Sequence, residues 1–381
     1  MVNNPSDQML HTAHRLLTDL VEMGSTGGGG SPEERAAAGG PVCVTGSTGY
    51  VGSWLVRTLL RRGYRVHATA RDPAKALQVF SEVEGKERLR VFRADMADEG
   101  SFDAAASGCV ALFHVAASMD LHVSPHANNN IEKHVRTRVL EPATRGTINV
   151  LQSCVRAATV RRVVFTSSIS TMTAAAETGQ RKAVVDESCL RAADDVWSTK
   201  PIGWVYILSK LMTEEAAFEF AREKCIHLVS LVLPTVAGSF LTPTVPTSIQ
   251  LLLSPITGHP KLYSLLASVH SRFGCVPLAH IQDVCDAHVF LMETEQADGR
   301  YLCAGGSYPM AQIAQLLSLH YPPFKPAERL GKDFNGSNPS VVSSKRLRDL
   351  GFRFECDVEE IIKNSVAQCV DHMFLRNFYC Y

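Results

Sequence analysis

The feature that most narrows what this chain can fold into is a glycine loop set between an apolar run and an amphipathic one. Val42–Thr45 reads as a short buried strand. Gly46-Ser-Thr-Gly49-Tyr-Val-Gly52 follows with G-x-x-G-x-x-G spacing, and Tyr50–Arg62 then carries Val51, Leu55 and Leu59 at helical spacing. Glycines at such a junction permit a tight turn, close packing of helix on strand, and close approach of the backbone to a pyrophosphate. The helix N-terminus adds free N–H groups and a partial positive charge. A glycine loop alone marks many ordinary turns. Its place after a strand and before a helix points to dinucleotide binding, with Thr45, Gly46, Gly49, Tyr50, Val51 and Gly52 as the candidate contacts.

Strand and helix signals alternate from there. Tyr64–Ala70, Leu89–Ala94, Val110–Val115, Val163–Thr166 and Leu228–Leu233 are strand candidates separated by stretches of helix length, with a long helix from about Trp204 to Lys224. Alternation of this kind implies right-handed crossovers and an α/β fold, a Rossmann-type doubly wound parallel sheet. Beyond Pro234 the order is lost. Pro243, Pro246, Pro255, Pro260 and Pro277 break up a mixed region, and helical patterns return at Asp283–Glu293, Met310–His320 and Val358–His372. By this pattern the chain divides into an extension at 1–40, a nucleotide-binding domain at 41–235, and a smaller, mainly substrate-binding region at 236–381.

The end of the second strand selects between cofactors. An acidic residue there hydrogen-bonds the adenosine ribose of NAD, whereas arginine accommodates the 2′-phosphate of NADP. Here Arg65–Ala70 leads into Arg71, with Asp72 one place later. A guanidinium suits a phosphate through paired, planar hydrogen bonds, so NADPH is the expected cofactor. Asp72 keeps NAD open, and a surface Arg71 paired with nearby acids is the plainer alternative. Asp95 and Met96, closing the third strand, are placed to meet the adenine. Val115-Ala116-Ala117, closing the fourth, should wall the cofactor with small side chains.

Reducing a carbonyl takes a hydride from the nicotinamide and a proton for the new alkoxide. A tyrosine can deliver that proton at neutral pH only if its ordinary pKa near ~10 is lowered, which a neighbouring ammonium does electrostatically. Tyr206-Ile-Leu-Ser-Lys210 places the two residue types at i and i+4, on one face of a helix. The same ammonium can grip the nicotinamide ribose. Ser168, ending Thr166-Ser167-Ser168, can hydrogen-bond the substrate oxygen. A Y-x-x-x-K spacing arises often by chance, as a partly buried tyrosine beside a surface lysine. The order of glycine loop, strand-end serine and Y-x-x-x-K is far more specific, and it makes Ser168, Tyr206 and Lys210 the candidate catalytic residues.

Composition excludes other classes. Lysine and arginine number 38 against 38 aspartates and glutamates, which leaves no basic footprint for nucleic acid. No apolar stretch approaches the ~18–20 residues that span a bilayer. The 11 cysteines are odd in number, without a C-x-x-C pair, and Cys43, Cys109, Cys154 and Cys303 sit in apolar runs. A reducing, cytoplasmic setting is expected. His122 and His126 are four apart, but Pro125 stands between them and no metal site is expected. Nothing in the sequence sets an oligomeric state. In the extension, Met9, Leu10, Ala13, Leu16, Leu17, Leu20 and Val21 recur at helical spacing ahead of the linker Gly24–Ser31. With Asp7, Asp19 and Glu22 against Arg15 alone before that linker, it reads as an extension rather than a targeting signal.

On Val42–Leu55, Val163–Ser168 and Tyr206–Lys210 the chain resembles the extended short-chain dehydrogenases/reductases, and more narrowly the plant dihydroflavonol reductase and anthocyanidin reductase group. Supporting stretches are Arg71-Asp72-Pro73, Phe92–Asp95, Phe113–Ala116, Asp186–Cys189, Leu233–Thr235, Ser254–Gly258 and Gly299–Cys303, so the likeness runs over about 41–370. It implies Ser168, Tyr206 and Lys210 as the triad, with Pro234, Thr235 and Ser248 touching nicotinamide and phosphate. It also implies a small-molecule substrate, a flavonoid-like polyphenol. Thr173, five places past Ser168, stands where dihydroflavonol reductases carry asparagine and anthocyanidin reductases threonine. Anthocyanidin reduction is therefore expected ahead of 4-keto reduction of a dihydroflavonol or flavanone. The segment His122–Arg138, Ser118 and the ending Asn377–Tyr381 depart from the group's pattern. Two rival readings share features of the chain. A sugar-nucleotide epimerase or dehydratase would retain NAD through its cycle, against Arg71. A non-catalytic NADP-sensing protein would typically lack the tyrosine or lysine, and both are present.

Overall fold

The computed structural model describes residues 39–118, 131–175, 180–326, 330, 334 and 339–375. The expected N-terminal helix and linker, residues 122–130 of the basic segment and the ending Asn377–Tyr381 lie outside them. The strands are β1 (Val42–Val44), β2 (Val66–Ala70), β3 (Leu89–Arg93), β4 (Ala111–His114), β5 (Arg162–Ser168), β6 (Val184–Val185), β7 (His227–Leu233), β8 (Thr235–Ala237), β9 (Val276–His280), β10 (Gly299–Leu302), β11 (Gly306–Tyr308) and β12 (Val341–Val342). The longer helices are α1 (Tyr50–Arg61), α2 (Glu141–Ala157), α3 (Trp204–Glu223), α4 (Pro260–Phe273), α5 (Ile281–Glu293), α6 (Met310–His320) and α7 (Val358–Asp371).

Seven strands form one sheet in the order β10-β7-β5-β4-β1-β2-β3, every neighbouring pair parallel. Side chains alternate across it. Val42 and Val44 of β1 pack with Leu55 and Leu59 of α1 and Val284 of α5, while Cys43 between them packs with Val150 and Leu151 of α2 and Ala217 of α3. Helices thus cover both faces, which is why these strands read as apolar runs rather than as alternating ones. The chain order reverses between β1 and β4. In an open α/β sheet that switch point, at the carboxyl ends of the strands, is where a crevice opens for ligand.

Two elements of this sheet come from beyond residue 235. β10 adds a seventh strand beside β7, with Tyr301 opposite Leu231, and α5 packs against α1 on the sheet face. The rest of that region builds its own core from residues such as Phe240, Ile249, Leu266, Leu278, Ile313, Leu317, Ile361 and Val366. It rests on a small mixed sheet, β8 parallel to β9 and β9 antiparallel to β11. The prolines that interrupt the sequence pattern start helices there. Pro260 opens α4, Pro255 opens Ser254–Thr257, and Pro246 is the cap of Thr247–Leu252. Those first-turn positions need no backbone N–H. Pro277 lies inside β9. The Tyr50 ring packs against both cores. No described helix is long and apolar enough to cross a membrane.

Candidate active site

The glycine loop is shaped by close approach. Gly46 has φ +66°, and a Cβ there would lie 2.8 Å from the Ala116 Cα. A Cβ on Gly52 would lie 2.2 Å from the Gly46 carbonyl oxygen, so any side chain would force helix and loop apart. α1 starts at Gly49 with no side-chain cap and no acidic residue in its first turn. Its terminal N–H groups are left for an anion, as a pyrophosphate requires. The flanking side chains face inward. The Ser47 hydroxyl donates to the Thr69 carbonyl (3.0 Å), tying the loop to β2. Thr45 is buried, and its hydroxyl accepts from the backbone N–H groups of Val115 (3.1 Å) and Ala116 (3.0 Å). Thr45 therefore joins the ends of β1 and β4 through its side chain and has only backbone to offer a ligand. The Tyr50 hydroxyl is likewise buried, so that residue too meets the crevice through its backbone.

At the end of β2, Arg71 is exposed and makes no ion pair among the described residues. Asp72 is occupied otherwise: its carboxylate accepts from the N–H groups of Ala74 (3.1 Å) and Lys75 (3.3 Å) and caps the helix Pro73–Val79. Asp95, after β3, turns its carboxylate onto the Ala97 N–H (3.0 Å). The Met96 carbonyl accepts from Asn149 Nδ2 (2.9 Å).

The reacting end is built from side chains. A narrow cleft is lined by Met96, Ala116, Ala117, Ser118, Ala143, Thr147, Phe165, Tyr206, Ser209, Lys210 and Thr213, so the fold brings the Tyr206–Lys210 turn to the end of β4. Lys210 is only 9% exposed, and its Nζ donates to the Thr166 carbonyl (3.2 Å). An ammonium has three donors; the others remain for the cleft. His114, at the end of β4, is buried beneath. The Thr45 Oγ1 lies 3.0 Å from His114 Nδ1 and 3.4 Å from the Phe113 carbonyl, and His114 Nε2 lies 3.3 Å from Thr147 Oγ1. Burial and the nearby Lys210 ammonium push His114 down to about 3, so the ring is neutral. Ser168 ends β5, and its Oγ accepts from the Ser170 N–H (3.2 Å), which leaves its own proton free to donate.

The paired register sets Ser168 opposite Leu233, so Pro234 and Thr235 follow at the same sheet edge. Ser248 sits half-buried in the helix Thr247–Leu252, which packs on β8. His114, Thr147, Ser209 and Thr213 were not legible as members of this site. The only signal is polar residues in strongly apolar or helical runs, such as His114 after Ala111-Leu112-Phe113.

A doubly wound sheet with a Tyr-Lys helix turn at its crevice defines the short-chain dehydrogenase/reductase class of oxidoreductases. Residues 42–304 match the profile of the NAD dependent epimerase/dehydratase family, and the chain belongs to that family. It is 38% identical to the anthocyanidin reductase ((2S)-flavan-3-ol-forming) of Vitis vinifera, over 88% of this chain and 96% of that protein. It is 36% identical to the dihydroflavonol 4-reductase of Dianthus caryophyllus, over 88% of each. Among solved structures it is similar to vestitone reductase from alfalfa, with a TM-score of 0.72 and 32% identity, over 88% of this chain and 99% of that one.

Proposed function

We propose that this chain is an NADPH-dependent reductase of a flavonoid, with an anthocyanidin as substrate and a flavan-3-ol as product. The observation that carries the reading is Lys210, held almost buried by the Thr166 carbonyl in the cleft that Tyr206 also lines, without a carboxylate partner among the described residues. Such a cation is available to a phenolate and to ribose hydroxyls. The cradle fits the cofactor: a helix N-terminus without acids, glycines where a Cβ would clash, and an unpaired Arg71 beside an Asp72 engaged in capping. The last contrast supports NADPH over NADH.

When bound, NADPH would supply hydride; a flavylium cation becomes a flavan-3-ol by taking up two hydrides and one proton, so two molecules of NADPH would act in succession. The chain's own residues do the rest. Ser168 donates a hydrogen bond to the substrate oxygen and orients it. Tyr206 gives that oxygen its proton, and Lys210 stabilises the phenolate left behind. A neutral His114 leaves Lys210 without a second cation to repel it. Ten described cysteines are all unpaired, which supports a reducing, cytoplasmic setting.

Thr173 supports the choice of substrate. Its N–H donates to the Cys189 carbonyl (2.9 Å), and its hydroxyl accepts from the Ala175 N–H (3.1 Å). It can still donate one bond but cannot present the separate donor and acceptor of an amide. We infer weak discrimination by B-ring hydroxylation. Turnover of purified protein with NADPH on flavanones, dihydroflavonols and anthocyanidins tests the reading, with Thr173→Asn read as the ratio of kcat/KM between classes. Thr173→Asn should shift that ratio towards dihydroflavonols. Wild-type protein that reduces dihydroflavonols or flavanones while ignoring anthocyanidins would promote the 4-keto reaction, which the likeness to the Dianthus enzyme favours.

A further inference from the structure

A buried polar set without a task in that reaction surrounds Glu214, one helical turn past Lys210 on α3. Its side chain accepts four hydrogen bonds. Oε2 takes Ser167 Oγ (2.8 Å) and Arg300 Nη2 (3.1 Å); Oε1 takes Ser230 Oγ (2.5 Å) and Arg300 Nε (3.0 Å). These donors stand on β5, β7 and β10, successive strands of the sheet. Arg300 Nη2 also donates to Thr171 Oγ1 (3.0 Å), and the Thr171 hydroxyl donates to the Ser168 carbonyl (2.8 Å). One path therefore runs from the helix bearing Tyr206 and Lys210 to the turn Ile169–Thr171 behind Ser168.

A buried ion pair is a poor device for stability alone, because desolvation offsets most of the attraction and apolar replacements often do as well. Apolar packing would also hold α3 on the sheet. What it would lack is direction. A two-point guanidinium–carboxylate contact fixes both planes, and here each plane is pinned to an element carrying a member of the triad. We propose that Glu214 and Arg300 are positioning residues that set Ser168 against Tyr206 and Lys210, acting on the chemical step rather than on NADPH binding. This rests on the triad assigned above.

Three variants test it: Glu214→Gln, Thr171→Val, and the double replacement Glu214→Leu with Arg300→Met. Each is read by kcat, by NADPH affinity from fluorescence titration, by melting temperature, and by the isotope effect with 4-deuterated NADPH. Misplacement on the ångström scale should lower kcat roughly 10–100-fold in Glu214→Gln and about 10-fold in Thr171→Val, with a larger isotope effect and little change in NADPH affinity. The double variant should regain the melting temperature but not the turnover. If kcat returns together with the melting temperature in the double variant, or stays normal in Thr171→Val, the pair merely supports the fold and the proposal falls. Thr171→Val leaves the ion pair in place, so it decides the matter even if the others fail to fold. Tyr206→Phe with normal kcat would instead sink the triad itself, which keeps the two failures apart.

Discussion

Under the glycine loop the surfaces that face the crevice are backbone, whereas the cleft at the Tyr206–Lys210 turn is lined by side chains, with Lys210 held there by a backbone carbonyl. The first turn of α1 presents N–H groups, the Gly49 N–H closes the loop on the Gly46 carbonyl (3.0 Å), and Thr45 and Ser47 turn inward to hold the loop. Lys210 leans on Thr166, whose hydroxyl meets His288 Nε2 (2.9 Å), and His288 donates through Nδ1 to the Val284 carbonyl (2.7 Å). The two kinds of surface should fail in different ways. A backbone cradle is spoiled by added volume and shows it in binding. A side-chain site is spoiled by lost polarity and shows it in turnover.

The largest test of this contrast is Tyr206→Phe. It removes one oxygen and adds no volume, so NADPH should still bind while kcat falls on the order of 10²–10⁴-fold, the scale for a lost general acid. Near-normal kcat would mean the proton comes from elsewhere. Gly52→Ala is the opposite experiment. Its Cβ would meet the Gly46 oxygen at 2.2 Å, and we expect a stability cost of about 3 kcal/mol, the upper end for an overpacked methyl, with weaker NADPH binding as the loop shifts. An unchanged affinity, measured by titration, would show that the loop yields. Arg71→Ala should raise KM for NADPH by the equivalent of ~1.5–3 kcal/mol and leave NADH nearly untouched. Equal effects on both cofactors would erase Arg71 from the site and make the cradle backbone alone.

The last comparison is one of stability, the pH dependence at the reacting end. Burial, together with Lys210 in the first case, pushes His114 down to about 3, and burial pushes His288 down to about 4. The unfolded chain binds these protons near ~6.5. Both folded values are depressed, so below that pH the unfolded state takes up protons first. Stability is present in full above ~6.5 and declines as pH falls, towards about 4 for His288 and about 3 for His114, by up to ~1.4 kcal/mol per pH unit for each. Replacing His288 with glutamine should flatten the fall in melting temperature across that window. A variant curve parallel to wild type would show that the histidine plays no part in the acid response.

The opening strand–helix–strand unit was legible because its information is local. Val42–Thr45, three spaced glycines and Arg71 lie within one strand–helix–strand unit, and the Tyr206–Lys210 spacing is set by a single helix. What stayed hidden depends on distant partners. Glu214 and Glu215 are alike in sequence, yet the first is buried against Arg300 and the second exposed. β10 is four residues beginning with glycine and carrying that arginine inward, so it lacks the apolar run that marked β7. Beyond residue 235, Pro246, Pro255 and Pro260 read as interruptions because a proline that ends a pattern and one that begins a helix look the same without tertiary context.

β10 also has a consequence for how the chain is made. A protein emerging from the ribosome folds from its N-terminal side, and β7, His-Leu-Val-Ser-Leu-Val-Leu, is complete long before Gly299–Leu302 can pair with it. Until then its outer edge is an apolar strand with unpaired N–H and C=O groups, a template for another nascent chain. Synthesis that stalls between these two strands should leave aggregates rather than a usable nucleotide-binding fragment, so the edge strand acts as the lid on a hazard that exists only during translation.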